Sequence, residues 1–190
     1  MPHSPFPGRF AVVGNPIHHS LSPTIHSAFA AQTGRGIDYR AELVAIDSFE
    51  TWVAHFFERG GVGLNVTLPF KRRAFALADQ ASSRAKMAGA ANLLRRAADG
   101  QIIADNTDGQ GLVTDIKVGA GWSLADARIL IVGAGGAVRG VISALLEEGP
   151  AEILVVNRTS ERAESLASEW ASRDSRIRGG GLDASNSGSW

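Results

Sequence analysis

The feature that most restricts the fold is a short strand-like run, Arg128–Val132, that passes directly into Gly133-Ala134-Gly135-Gly136-Ala137 and from there into a helix-like stretch, Ala137–Glu148. A continuous apolar strand needs cover on both faces, which a sheet with helices on each side provides. Glycines at the strand-to-helix turn remove the side chains that would keep peptide N–H groups away from an anion at the helix N-terminus. A second apolar strand, Glu152–Val156, and a helix from Thr159 to about Arg173 follow. The order strand, turn, helix, strand, helix is how a dinucleotide-binding domain begins. Spacing alone leaves a purely structural glycine turn open, because the third position of GxGxxG falls on Val138. A doubly wound sheet needs about six parallel strands, and two are predicted before the chain runs into Gly179-Gly180-Gly181 and a Ser/Gly-rich tail. The second domain therefore reads as incomplete.

The preceding part alternates as well. Strand-like runs at Arg9–Gly14, Ile37–Val44, Gly63–Thr67, Ala91–Arg95 and Gln101–Ala104 are interleaved with helix-like stretches, the pattern of a sheet covered by helices. Ser22-Pro23 reads as an N-cap followed by proline at the first helical position, with Ile25, Ala28 and Phe29 on one face. A second helix, Ser48–Arg59, carries Trp52, Phe56 and Phe57, and Asp99-Gly100 reads as a tight hairpin turn. A helix near Thr107–Val118 leads to Gly119-Ala120-Gly121, where a domain boundary is expected at about residue 122. The expected class is α/β: an N-terminal mixed α/β domain, 1–121, followed by a partial dinucleotide-binding domain, 122–190.

Lys+Arg and Asp+Glu both total 19, so no excess positive charge exists to track a nucleic-acid backbone or an anionic membrane. The chain has no Cys, which removes thiolate chemistry, disulfides and sulfur-ligated metals and fits a reducing cytoplasm. No run of 18 apolar residues is present to span a bilayer, and the first residues lack a secretory signal. A soluble protein is the expectation.

Four segments carry candidate chemistry. At the end of the second apolar strand, where NAD-binding domains offer a carboxylate to the adenosine ribose, the chain has Asn157-Arg158-Thr159, with Arg162 one turn on. Guanidinium groups there suit a 2′-phosphate, which points to NADP. Asn65-Val66-Thr67-Leu68-Pro69-Phe70-Lys71 leads from a strand through a proline suited to a first helical turn, so Thr67 and Lys71 fall near the carboxyl edge of the sheet, where ligands collect. By spacing alone Lys71 reads as a solvated charge beside Arg72 and Arg73. In Asp105-Asn106-Thr107-Asp108-Gly109, Asn106 or Thr107 caps the next helix, which leaves the Asp108 carboxylate able to face a cleft. Gly14 to Pro23 holds two hydroxyls, Ser20 and Ser22, near a helix start, suited to receiving a carboxylate. His18 and His19 lack any metal-ligand spacing, and no metal is expected.

In this order, Ser20-Leu21-Ser22-Pro23, NVTLPFK, Gly89-Ala90-Ala91-Asn92, Asn106-Thr107-Asp108-Gly109, GAGGA and Asn157-Arg158-Thr159 resemble the landmarks of the shikimate dehydrogenase family over nearly the whole chain. The resemblance implies an N-terminal substrate domain, a Rossmann-type NADP domain and an active site between them. It implies NADP-dependent reversible oxidation of shikimate to 3-dehydroshikimate, a step of aromatic amino-acid and chorismate biosynthesis. Ser20 and Ser22 would hold the substrate carboxylate, Thr67, Lys71, Asn92 and Asp108 would surround the ring hydroxyls, and Lys71 with Asp108 would form the catalytic pair. Gly133, Ala134, Gly135, Gly136 and Ala137, with Asn157, Arg158, Thr159 and Arg162, would bind NADP. The alternatives are a quinate/shikimate dehydrogenase that also uses NAD, and a catalytically silent shikimate-binding fragment.

Departures from the family pattern are visible too. Leu93 stands where the family has Thr after Asn92, and the later strands of the cofactor sheet and the terminal helices have no counterpart, so a truncated enzyme is expected. An incomplete cofactor domain would expose an apolar sheet edge, which favours association and leaves room for a homodimer.

Overall fold

The computed structural model describes residues 8–183, so the expected Ser/Gly-rich tail from position 184 lies outside the described residues. The chain forms two compact units that part between Asn106 and Thr107.

In the first unit the elements are β1 (Gly8–Gly14), α1 (Ser22–Thr33), β2 (Ile37–Leu43), a 3-10 turn (Ile46–Ser48), α2 (Phe49–Glu58), β3 (Gly61–Val66), α3 (Lys71–Leu77), β4 (Gln80–Ala81), α4 (Ser83–Ala88), β5 (Leu93–Arg96) and β6 (Ile102–Asp105). They build one sheet in the order β2-β1-β3-β5-β6-β4. β1 pairs in parallel with both β2 and β3, whereas β5 runs antiparallel to β3 and β6. The β5–β6 hairpin closes as predicted: Gly100 adopts φ 90°, which glycine accepts without strain, and Ala97 N–H donates to Gln101 O at 2.8 Å. The short elements α3, β4 and α4 have no periodicity long enough to show in the sequence.

α2 lays Phe49, Val53 and Phe57, four residues apart, onto the sheet face made by Ala11, Val13, Leu64 and Val66, and all seven are buried. Phe49 also stacks on Phe70 with centroids 4.5 Å apart, and the Arg73 guanidinium sits 5.4 Å above the Phe49 ring while ion-pairing with Glu50. Each buried ring contributes about 2–3 kcal/mol by removal from water. Arg73 is thereby a structural cation bridging α3 and α2. α1 departs from expectation. Its N-cap position is Leu21 with Ser22 already helical, no residue of α1 is buried, and Ile25 and Phe29 are 46% and 54% exposed. The helix rests on β2 through a polar residue instead, with His26 stacked on Tyr39 at 4.1 Å.

The second unit comprises α5 (Asp108–Thr114), a π turn (Asp115–Gly119), β7 (Arg128–Val132), α6 (Gly136–Glu147), β8 (Glu152–Val156), α7 (Ser160–Ala171) and β9 (Ile177–Gly180). The expected division at about residue 122 leaves α5 with the first part, whereas compactness puts it with the second. The reason is helix packing: a Cβ at Gly109 would lie 2.7 Å from Ala144 Cβ and 2.9 Å from Gly140 O, so only glycine lets α5 lie directly on α6.

β7, β8 and β9 form a parallel sheet in that order. It has a third strand where two were predicted. The glycine run that reads as a chain stop is a strand because β9 passes hard against α7: a Cβ at Gly179 would fall 2.2 Å from the Ala163 carbonyl oxygen. β8 is buried through Ile153–Val156, while β7 is an edge with Leu130 and Val132 42% and 71% exposed.

Candidate active site

In the first unit the predicted substrate residues meet through backbone bonds at the carboxyl ends of β1 and β3. Thr67 N–H donates to Val13 O at 2.9 Å, and Asn15 N–H donates to Leu68 O at 2.9 Å, which ties the turn after β3 to the loop after β1. Gly14 permits this closeness, since its Cβ would sit 2.6 Å from Thr67 Cγ2. Both turns carry cis prolines, Pro16 and Pro69. Pro69 lies in the turn ahead of α3 rather than in its first helical turn, and α3 begins at Lys71. Ala91 N–H donates to Lys71 O at 2.8 Å and Val66 N–H to Asn92 O at 2.8 Å, so the Asn92 segment lies between the start of α3 and the end of β3. Thr67, Lys71 and Asn92 are all half-buried.

Ser20 and Ser22, also half-buried, enter from the loop after β1. Ser20 Oγ accepts the Ser22 N–H at 3.3 Å, tightening the entry to α1. Two residues not foreseen join them. Tyr39, on β2, reaches across β1 and donates its phenol O–H to Asn65 Oδ1 at 2.6 Å, and the Ser22 hydroxyl hydrogen-bonds the same phenol. Burial pushes the Tyr39 phenol up to about 12. Both left a signal: Tyr39 is the chain's single tyrosine, and Asn65 is the one polar residue in the strand GVGLNV.

The segment after β6 is fixed from both sides. Asp105 is gripped by Arg84 through two bonds, accepts from Ser82 Oγ at 2.6 Å and receives the Asn106 N–H at 2.7 Å. The Arg84 guanidinium, helped by Ser82 and the Asn106 N–H, holds the Asp105 carboxyl down to about 2 against the opposing effect of burial. Asn106 is buried and donates its side-chain amide to Ala90 O at 3.0 Å, so it locks the Gly89-Ala90-Ala91-Asn92 segment. Thr107 occupies the N-cap position of α5 without a side-chain cap bond, and Asp108 stands in the first turn of that helix. Lys71 and Asp108 thus belong to different units.

In the second unit β7 ends at Gly133, which has φ 114° and donates its N–H to Val156 O at 2.7 Å. Gly135 is the N-cap of α6, and a Cβ built on Gly133, Gly135 or Gly136 meets nothing within 4 Å. The turn of Gly133, Ala134, Gly135, Gly136 and Ala137 therefore faces open space at the N-terminus of a 12-residue helix, a setting that fits a pyrophosphate. At the end of β8, Asn157 donates its amide to Thr159 O at 2.9 Å, which shapes the loop and leaves Arg158 and Arg162 exposed. That suits a ribose phosphate better than a bare diol.

A cavity of about 280 Å³ at the opposite end of β1, lined by Arg9, Arg40, Trp52, Phe56 and Arg59 among others, contains none of the predicted residues. In its lining Arg40 pairs with Asp38 at 2.8 Å, and Arg9 donates to the Arg59 main-chain carbonyl at 2.9 Å. We read it as a solvated groove beside the edge strand β2. Among the described residues no cluster of three side chains could hold a metal ion, and no helix is long and apolar enough to cross a membrane.

Residues 12–94 match the shikimate dehydrogenase substrate binding domain, and residues 113–178 match shikimate / quinate 5-dehydrogenase. The chain belongs to the shikimate dehydrogenase family. Shikimate dehydrogenase (NADP(+)) of Marinobacter nauticus is 53% identical over 158 residues, 83% of this chain and 58% of that protein. The enzyme of the same name from Saccharophagus degradans is 47% identical over 183 residues, 95% of this chain and 66% of that protein. Among solved structures, the Ael1 enzyme from Pseudomonas putida superposes with TM-score 0.86 at 43% identity, covering 95% of this chain and 66% of that one. Shikimate 5-dehydrogenase from Thermus thermophilus in complex with NADP(H) and shikimate gives TM-score 0.81 at 35% identity, covering 92% and 62%. This member of the shikimate dehydrogenase family thus spans 58% to 66% of the length of these relatives.

Proposed function

We propose that the protein carries the shikimate-binding and catalytic half, and the beginning of the NADP-binding half, of an enzyme that reversibly oxidises shikimate to 3-dehydroshikimate. The observation that carries this reading is the joining of Thr67, Lys71 and Asn92 at the end of β3, beside the loop of Ser20 and Ser22. Hydroxyls at Ser20 and Ser22 receive the substrate carboxylate, while Thr67, Lys71, Asn92 and Asp108 take the ring hydroxyls. When bound, NADP supplies the hydride acceptor.

Loss of a hydride from a secondary alcohol leaves a hydroxyl proton to be removed by a group within hydrogen-bond reach. Lys71 is that group, and Asp108 is its orienting partner. The glycine turn at 133–137 receives the pyrophosphate, and Asn157, Arg158, Thr159 and Arg162 receive the adenosine ribose with its 2′-phosphate. The absence of cysteine supports a cytoplasmic setting, and the exposed edge of β7 supports a homodimer.

The test measures initial rates of nicotinamide reduction with shikimate or quinate, each with NADP or NAD, alongside calorimetric titration of shikimate into the same protein. Turnover with shikimate and NADP is expected to exceed the other three combinations. Shikimate binding without turnover would reduce the chain to a binding fragment, and neither binding nor turnover would overturn the reading.

A further inference from the structure

Asn92 is held by a closed circuit of bonds that runs through α4. Its main-chain N–H donates to Asp105 O at 3.1 Å and its carbonyl accepts the Val66 N–H at 2.8 Å, so the residue sits between the ends of β6 and β3. Back along the chain, Gly89 is the left-handed C-cap of α4, and Ser82 is its N-cap. Ser82 Oγ accepts the Ala85 N–H at 3.2 Å and donates to Asp105 Oδ1 at 2.6 Å, while Arg84 grips both oxygens of the same carboxylate. The circuit thus begins and ends at Asp105. Asn106 crosses it, with its N–H on Asp105 Oδ1 and its side-chain amide on Ala90 O. A helix of six residues does not hold its own shape in water, so α4 takes its place from these ties.

We propose, resting on the shikimate site proposed above, that Arg84 is a positioning residue of that site, fixing Asn92 through the Asp105 carboxylate and the Asn106 side chain. The Asp105 side chain is only 23% exposed. Without the guanidinium its charge is left unpaired in a poorly hydrated place, and the carboxylate turns toward water. Turning releases the Asn106 N–H and the Ser82 hydroxyl, the two groups that tie the Ala90 segment and the start of α4 to β6. Arg84 acts in this way from α4, a helix outside the expected motifs, and needs no contact with a ligand.

Calorimetric titration of shikimate tests the chain of cause. Arg84→Ala should weaken binding about fivefold, the size of one misplaced hydrogen bond. Adding Asp105→Asn removes the unpaired charge and keeps an oxygen for Ser82 and the Asn106 N–H, so affinity should return to within about twofold of the parent. In an Asn92→Ala background, Arg84→Ala should change affinity by less than about twofold, because it acts through Asn92. An arginine that met the ligand by its own charge would give no rescue. That result, or additive losses in the cycle, overturns the proposal. Arg84→Gln, of similar length and neutral, carries the same expectations where the alanine variant folds poorly.

Amide hydrogen exchange supplies an arm that needs no substrate. A loss of global stability speeds the amides that exchange through unfolding by a common factor, so the Thr67 N–H, bonded to Val13 O, serves as reference. In Arg84→Ala the Asn92 N–H should exchange about tenfold faster beyond any change at Thr67. Equal acceleration at the two positions reduces Arg84 to a general stabiliser and overturns the proposal, even where shikimate fails to bind. Failure of the unsubstituted protein to bind shikimate, with Asn92 responding as expected, strikes instead at the functional reading.

Discussion

Arg84 holds Asp105 in a two-point grip, Nε to Oδ1 at 2.8 Å and Nη2 to Oδ2 at 2.6 Å, immediately before the buried Asn106. The carboxyl lies at about 2 in the folded protein, against an ordinary value of 3.8. A group whose value is lowered by folding stabilises the native state above its unfolded value, and that contribution is lost as pH falls through the folded one. With the Arg84 side chain 47% exposed, solvent screening reduces the pair to about 1–2 kcal/mol. Arg84→Ala should therefore lower unfolding stability by about that amount near neutrality. The gap between parent and variant should close between pH 3.8 and about 2. Urea unfolding followed by circular dichroism across this range checks it; a gap that stays constant with pH would contradict the ion-pair origin.

Two glycines mark close approaches that any side chain would block. At Gly179 an added Cβ lies 2.2 Å from a main-chain oxygen of α7, and at Gly109 it lies 2.7 Å from Ala144. Overpacking of this kind typically costs about 1–3 kcal/mol. Gly179→Ala, opposed by backbone that cannot swing aside, should be the more destabilising of the two. Gly135→Ala, where a Cβ meets nothing within 4 Å, should leave stability nearly unchanged and weaken NADP binding alone. Thermal unfolding of the three variants gives the ranking, and a Gly135→Ala loss as large as that of Gly179→Ala would refute it.

These contacts also explain how much could be read in advance. Long periodic elements were legible: β8 lies at the predicted residues, and α6 and α7 begin within one residue of them. So was the α/β class. β9 was hidden because its glycines carry no hydrophobic pattern, their purpose being contact with Ala163. The placement of α5 depended on Gly109 meeting a helix some thirty residues on, a long-range packing fact with no local trace. At the candidate site, motif residues such as Thr67, Lys71 and Asn92 were recognisable, whereas Tyr39 and the Arg84–Asp105 clamp act across strands and helices distant in sequence. Pairings of that kind are fixed by sheet order, which a single sequence does not reveal.

Cofactor choice is open to a direct reading at the end of β8. Arg158 and Arg162 are exposed beside a loop held by Asn157. A guanidinium that pairs with a phosphate contributes roughly 1.5–3 kcal/mol, so Arg158→Ala should weaken NADP binding about ten- to hundredfold. NAD lacks the 2′-phosphate, and its affinity should move by less than about twofold. Titrations of both dinucleotides into parent and variant test this; equal losses for the two would show that Arg158 supports the loop and not the phosphate.

Lys71 is the sharpest test of the chemistry. Its main chain anchors the Asn92 segment through the Ala91 N–H, a bond that any side chain at 71 preserves. Truncating the ammonium should therefore leave the pocket's frame in place while removing the proton acceptor. General acid–base groups contribute roughly 10²–10⁴ in rate, so Lys71→Ala should lower kcat by that order and alter the KM for shikimate by only a few-fold. Asp108→Asn, which retains shape and removes charge, should lower kcat less, because it acts by orienting its partner. Steady-state kinetics on both variants, with folding checked by circular dichroism, decide the matter. A raised KM with an intact kcat for Lys71→Ala would make the lysine a binding group and leave the proton to another acceptor.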